Sequence, residues 1–91
     1  MTAHLPPEYG DATRAIHSGQ DPDPAFGAIV PPIYQTVSFA FESMEQAVAR
    51  SAHLEEGYSY TRVANPTIDA LETKLADMDG AESCVVFGSG M

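Results

Sequence analysis

Two short stretches of this chain combine residue types that can hold an anion. In Tyr58-Ser59-Tyr60-Thr61-Arg62 a phenol and a guanidinium stand two residues apart. In an extended segment that spacing puts both on one side. Arginine grips a phosphate through two parallel N–H bonds, and a phenol can donate another. The plainer reading of the same residues is a solvated arginine beside a partly buried tyrosine. The second stretch, Gly88-Ser89-Gly90-Met91, follows the apolar run Cys84-Val85-Val86-Phe87. A small-residue turn after a buried strand exposes backbone N–H groups, and a helix starting there adds the positive end of its dipole. Such a turn can equally be no more than the end of a strand.

Other chemistries lack their residues. His4, His17 and His53 show no metal-ligand spacing such as His-x-x-x-His. Ser89 lies between glycines, but the nucleophile elbow needs Gly-x-Ser-x-Gly and position 87 is Phe. No Gly-Lys-Ser/Thr follows the glycine turn, so a P-loop nucleotide site is excluded. Lys74, the sole lysine, sits at the edge of an apolar helical stripe and reads as a snorkelling surface residue. Cys84 is the single cysteine and reads as a small packed hydrophobe, which rules out a disulfide framework.

Composition narrows the partners. Thirteen carboxylates stand against four basic residues, for a net charge of -9. Nucleic acid is thereby disfavoured, because phosphate neutralisation needs clustered Lys and Arg. The acidity itself reads as a solubility feature. No run approaches the ~18 apolar residues of a membrane span. Met1 to Gln20 also lacks the basic start and apolar core of a signal peptide, so a cytoplasmic location is expected.

The elements that would position the two anion stretches can be read along the chain. Residues 1–30 carry few periodic apolar positions and many prolines, and read as an extended arm. Ser43 with Gln46 three residues on is a capping box, and predicts a helix that Gly57 closes by about position 56. Its apolar stripe is Met44, Ala47, Val48 and Ser51. Asn65 as N-cap and Pro66 at the first helical position open a second helix. There Ile68, Leu71, Leu75 and Met78 share a face, and Gly80 is a left-handed stop. Cys84 to Phe87 then suits a buried strand of a parallel sheet. Helix, buried strand and glycine turn together open an α/β unit. Ninety-one residues with so little patterned core are expected to be a piece of something larger.

These pieces, taken in order, resemble a known family. Gly57-Tyr58-Ser59-Tyr60-Thr61-Arg62-Val63-Ala64-Asn65-Pro66-Thr67, Leu71-Glu72 and Ser89-Gly90-Met91 are similar to motifs of the trans-sulfuration enzymes of cysteine and methionine metabolism. Thr13 to Gln20 and Pro31-Pro32-Ile33-Tyr34-Gln35-Thr36 match its N-terminal signatures, so the resemblance covers about residues 12–91. It implies an α/β fold of the aspartate-aminotransferase-like type (fold type I), here truncated, with pyridoxal 5'-phosphate (PLP) as cofactor. Residues 1–57 would be an N-terminal arm with one short helix making inter-subunit contacts, and residues 58–91 the beginning of the PLP-binding large domain.

The resemblance also implies roles. Tyr60 and Arg62 would reach the PLP phosphate of a neighbouring subunit, with Tyr60 also serving in acid/base work. Backbone amides of Gly90 and Met91, with Ser89 beside them, would hold the subunit's own PLP phosphate. The parent would be a homo-oligomer, a dimer of dimers, acting on a small amino acid. Its reaction would be γ-elimination or γ-replacement on homoserine-derived or methionine- and cystathionine-like substrates. The segment Glu42 to Glu56 looks similar to the methionine γ-lyase and O-acylhomoserine sulfhydrylase branches. The family's Schiff-base lysine lies downstream of Met91 and Lys74 does not match it, so this chain alone is expected to be inactive. The alternative is a non-catalytic oligomerisation or interaction module derived from the same family.

Overall fold

The computed structural model describes residues 5–90; His4 and Met91 lie outside them. Its regular structure among the described residues consists of α1 (Asp11–His17), α2 (Met44–Ser51) and α3 (Pro66–Asp79). One antiparallel bridge, Ser38 with Tyr60, joins extended segments. The chain divides into two units, Met1–Ile33 with Thr67–Met91, and Tyr34–Pro66.

In the first unit, α3 forms where local chemistry asks for it. Pro66 is its first residue, a position whose N–H would have no intrahelical acceptor anyway. At its other end Gly80 takes φ +66°. The Gly80 N–H donates to the Asp77 carbonyl and the Ala81 N–H to the Ala76 carbonyl, which closes the helix in a Schellman motif. What α3 buries differs from the apolar periodicity. Leu71, Leu75 and Met78 remain between 40% and 47% exposed, while Ala76 and Asp77 are buried.

Asp77 explains that inversion. Its carboxylate accepts from Arg14 Nη1 at 2.6 Å, from Ser18 Oγ at 2.6 Å and from the Leu5 N–H at 3.3 Å. The Asp77 side chain is 1% exposed and that of Arg14 12%. Arg14 also donates to the carbonyls of Leu5, Pro6 and Tyr9. A buried charge is tolerated only when paired and hydrogen-bonded, and both conditions are met. Gly19 completes the contact at φ +76°, where an added Cβ would stand 2.6 Å from the Ala70 carbonyl oxygen. No side chain larger than hydrogen fits there without displacing α3.

The region read as an extended arm therefore contains a helix. Asp11 in the first turn and His17 in the last suit the helix dipole, and α1 buries none of its residues. Arg14 holds it by polar bonds rather than by an apolar stripe, so no periodic signal marks it in the sequence. The chain turns at Asp23–Gly27, where the Gly27 N–H donates to the Asp23 carbonyl at 2.6 Å. Asp23 is buried, its carboxylate accepts from the Phe26 N–H, and Gly27 follows at φ +73°. That turn presents Phe26 at 96% exposure.

After Gly80 the chain returns along α3. Residues 83–87 form neither helix nor ladder among the described residues, and Val85 and Phe87 are exposed. The expected buried strand is not formed: Cys84 to Phe87 pair with no strand among the described residues and none of the four is buried. Its Val86 N–H instead donates to Glu72 Oε2 of α3 at 3.0 Å.

In the second unit, Ser43 caps α2 by accepting the Gln46 N–H, and the Gln46 side chain reaches back to the Glu42 N–H. The capping box forms as read, displaced by one residue on its return bond. The helix ends at Ser51, about one turn before the expected stop. His53 takes φ +59°, and the His53 and Leu54 N–H groups donate to the Arg50 and Ala49 carbonyls. This is again a Schellman closure, with histidine where glycine is usual. Gly57 has a different task from ending the helix. It takes φ +149°, and an added Cβ there would press on the Arg50 side chain, whose guanidinium rests 5.8 Å from the Phe41 ring centroid. Met44 and Val48 of the predicted stripe are exposed, and with Glu45, Ala49 and Leu54 they line an open hollow of about 340 Å³.

Removing one member of a buried ion pair strands the other, at a cost of about 3 kcal/mol. Asp77→Ala is therefore expected to lower the thermal midpoint sharply and to abolish α1 by circular dichroism, whereas an exposed-surface control such as Glu82→Ala leaves both unchanged.

Candidate functional site

Tyr60 enters the site from the one bridged pair of extended segments. The Phe39 N–H donates to the Ser59 carbonyl at 3.1 Å and the Thr61 N–H to the Val37 carbonyl at 2.7 Å. Pairing stops at Tyr60. The Val63 and Ala64 N–H groups both donate to the Tyr60 carbonyl, at 3.0 and 3.1 Å, so residues 61–63 form a turn. The extended geometry expected for Tyr60 to Arg62 is thus replaced by a bridge followed by a turn. The two side chains still meet, because the turn lays the Arg62 guanidinium 5.1 Å from the centroid of the Tyr60 ring. That distance is a cation–π contact. Tyr60 is 38% exposed and Arg62 is exposed.

Asn65 holds this turn in place. It is 2% exposed, and its Nδ2 donates to the Tyr34 carbonyl at 2.9 Å and to Thr61 Oγ1 at 3.2 Å. The Thr61 hydroxyl donates in turn to the Thr36 carbonyl. Sequence spacing suggested Asn65 as a helix cap. The structure adds that its amide fastens the Tyr60–Arg62 turn to the segment 34–36. Phe39 and Tyr58 pack with ring centroids 5.5 Å apart behind the bridge.

The cationic inventory singles out Arg62. Of the three arginines, Arg14 is bound to Asp77 and three carbonyls, and Arg50 is packed between Gly57 and Phe41, its Nε buried without a hydrogen-bond acceptor. Arg62 is exposed and makes no ion pair among the described residues. Lys74 is half-buried on α3, with its backbone N against Gly19.

The second anion stretch ends at the border of the described residues. Gly88, Ser89 and Gly90 are exposed, and Met91 lies outside the described residues. Neither Gly88 nor Gly90 has a positive φ, and an added Cβ at either would meet nothing within 4 Å. The chain's own packing therefore gives no reason for glycine at these two positions. A group approaching the backbone closely from outside would give one. Ser89 and Gly90 belong to the first unit, Tyr60 and Arg62 to the second.

The protein-family model for Cys/Met metabolism PLP-dependent enzymes matches residues 12–91, a range that contains both anion stretches. This chain belongs to that family. It is 45% identical over 82 residues to the L-methionine gamma-lyase of Pseudomonas putida, covering 90% of this chain and 21% of that protein. It is 42% identical over 83 residues to the O-acetyl-L-homoserine sulfhydrylase of Corynebacterium glutamicum, covering 91% of this chain and 19% of that protein. The crystal structure of cystathionine gamma synthase from Xanthomonas oryzae pv. oryzae in complex with cystathionine superposes with a TM-score of 0.68 at 34% identity. That match covers 87% of this chain and 18% of the synthase. The chain thus spans about a fifth of the length of the curated relatives it matches. No helix among the described residues is long and apolar enough to cross a membrane.

Asn65→Asp would replace the donors facing Tyr34 and Thr61 with acceptors. Leaving those acceptors unmatched costs about 1–3 kcal/mol. Hydrogen exchange at the Thr61, Val63 and Ala64 amides is expected to quicken by about tenfold or more, with the α1 amides unaffected.

Proposed function

We propose that this chain supplies two half-sites for the phosphate of PLP in an enzyme that acts at the γ-carbon of sulfur-containing or homoserine-derived amino acids. The observation that carries the proposal is Arg62, the one arginine left open to an anion, stacked on Tyr60. Tyr60 and Arg62 would bind the phosphate of a neighbouring subunit's cofactor. Ser89 and the amides of Gly90 and Met91 would bind the subunit's own. Unexplained glycines at 88 and 90 support the second half, since a phosphate oxygen against the backbone leaves no room for a Cβ.

PLP, where bound, supplies an electron sink for charge developing at the substrate Cα. The residues of this chain do the holding. Arg62 opposes the phosphate charge through its fork of donors, and the Tyr60 ring keeps that fork oriented. Tyr60, with its hydroxyl at the same place, is the residue here suited to move a proton near the substrate.

The reading extends to the whole protein. Residues 1–57 would serve as an arm against another subunit, and residues 58–91 as the opening of an α/β, fold type I cofactor domain. Exposed Phe26, Ile29, Val30 and Ile33 support the arm, because so many bare apolar side chains favour burial in an oligomer. A homo-oligomer built as a dimer of dimers follows from the same reading. The relatives' names point to methionine, cystathionine or O-acylhomoserine as substrate types, by elimination or replacement at the γ-carbon. Lys74, the sole lysine, does not match the family's Schiff-base lysine, so the cofactor-bearing lysine would come from the rest of the enzyme and this chain alone would be inactive.

In the full-length enzyme, Arg62→Ala is expected to raise the PLP dissociation constant by about tenfold to a hundredfold, as loss of a charge-assisted pair implies. Arg62→Lys recovers part of it. Absorbance titration of the apoenzyme measures both, and an unchanged constant in Arg62→Ala removes Arg62 from the phosphate site.

A further inference from the structure

Glu72 does work that neither the anion stretches nor the family match assigns to it. It lies in the middle of α3, half-buried, and its Oε2 accepts the Val86 N–H at 3.0 Å. Among the described residues this is the one polar tie between residues 82–90 and α3. Beyond it the chain has three residues to Ser89 and four to Gly90, with no ladder to hold them.

We propose that Glu72 is a positioning residue for the phosphate turn, setting the height of Gly88-Ser89-Gly90 along α3 through the Val86 amide. The inference rests on the reading of Ser89 and Gly90 as phosphate-binding. The Schellman closure at Gly80 fixes where the chain leaves α3, through the Gly80 and Ala81 N–H bonds to the Asp77 and Ala76 carbonyls. The Glu72–Val86 bond fixes where it returns, about two helical turns back from the helix end. A segment held at both points has one register, whereas a segment held only at Gly80 can slide or lift. On this segment Cys84 and Val86 are half-buried, whereas Val85 and Phe87 are exposed. A carboxylate is suited to the task because an ionised acceptor makes a shorter and stronger bond to N–H than a neutral one.

The test is made on the full-length enzyme reconstituted with PLP, comparing Glu72→Ala, Glu72→Gln and Arg62→Ala. Glu72→Ala is expected to raise the PLP dissociation constant about tenfold, the equivalent of one charge-assisted hydrogen bond. It is also expected to shift the phosphorus-31 resonance of the bound cofactor's phosphate. Glu72→Gln, which keeps an acceptor oxygen, restores most of the affinity and the resonance. If Glu72→Ala lowers only the thermal midpoint of the apoenzyme and leaves affinity and resonance alone, Glu72 is structural and the positioning role is wrong. If Arg62→Ala weakens PLP and Glu72→Ala does not, the phosphate reading stands and this inference falls. If neither weakens PLP, the phosphate reading itself fails.

Discussion

A single buried carboxylate organises the first unit. Asp77 gathers a guanidinium, a hydroxyl and a backbone amide from residues more than fifty positions away in sequence, all at hydrogen-bond distance. The only buried apolar residue among those described is Ala76, so ordinary hydrophobic packing contributes little here. Polar bonds of this kind are demanding. They stabilise when every lone pair is met and penalise heavily when one is missing. The consequence is a specific docking of α1 and Gly19 on α3, with no tolerance for sliding. α3 is thereby held on one face and left with Leu71, Leu75 and Met78 half-bare on another.

That half-bare face fits the rest of the account. Apolar side chains are also exposed in residues 26–33, on α2 and in residues 85–87. In the oligomer proposed above, such surfaces would be buried. The proposed phosphate half-sites rest on Arg62, exposed against the Tyr60 ring, and on Gly88 and Gly90, which no packing within the chain requires to be glycine.

Local chemistry was legible in the sequence and long-range polar pairing was not. Ser43 with Gln46, Pro66, and Gly80 each act within a few residues, and each does in the structure what its type predicts. Arg14 and Asp77 are 63 residues apart, and a charged pair leaves no periodic trace, so α1 and the buried face of α3 were both missed. Gly57 suggests a helix stop because glycine commonly is one, but the helix has already closed at His53, and Gly57 takes φ +149° beside the Arg50 side chain. The proximity of Tyr60 and Arg62 was read from two-residue spacing, yet a turn produces it, and Asn65 and Thr61 supply the fastening. Strand character at 84–87 was read from apolar content. A strand also needs a neighbour, and here Glu72 meets the Val86 amide instead.

In the proposed assembly one phosphate would be held by Arg62 from one subunit and by the Gly90 turn of another. Co-assembly of two defective full-length chains, Arg62→Ala and Gly90→Val, tests it directly. In each mixed dimer one site would receive both lesions and the other neither. Mixed assemblies are then expected to regain PLP in about half of their sites, although each parent assembly binds it poorly. Mixed assemblies that bind no more PLP than the two parents would show that both residues serve the same subunit's cofactor, and would contradict the account.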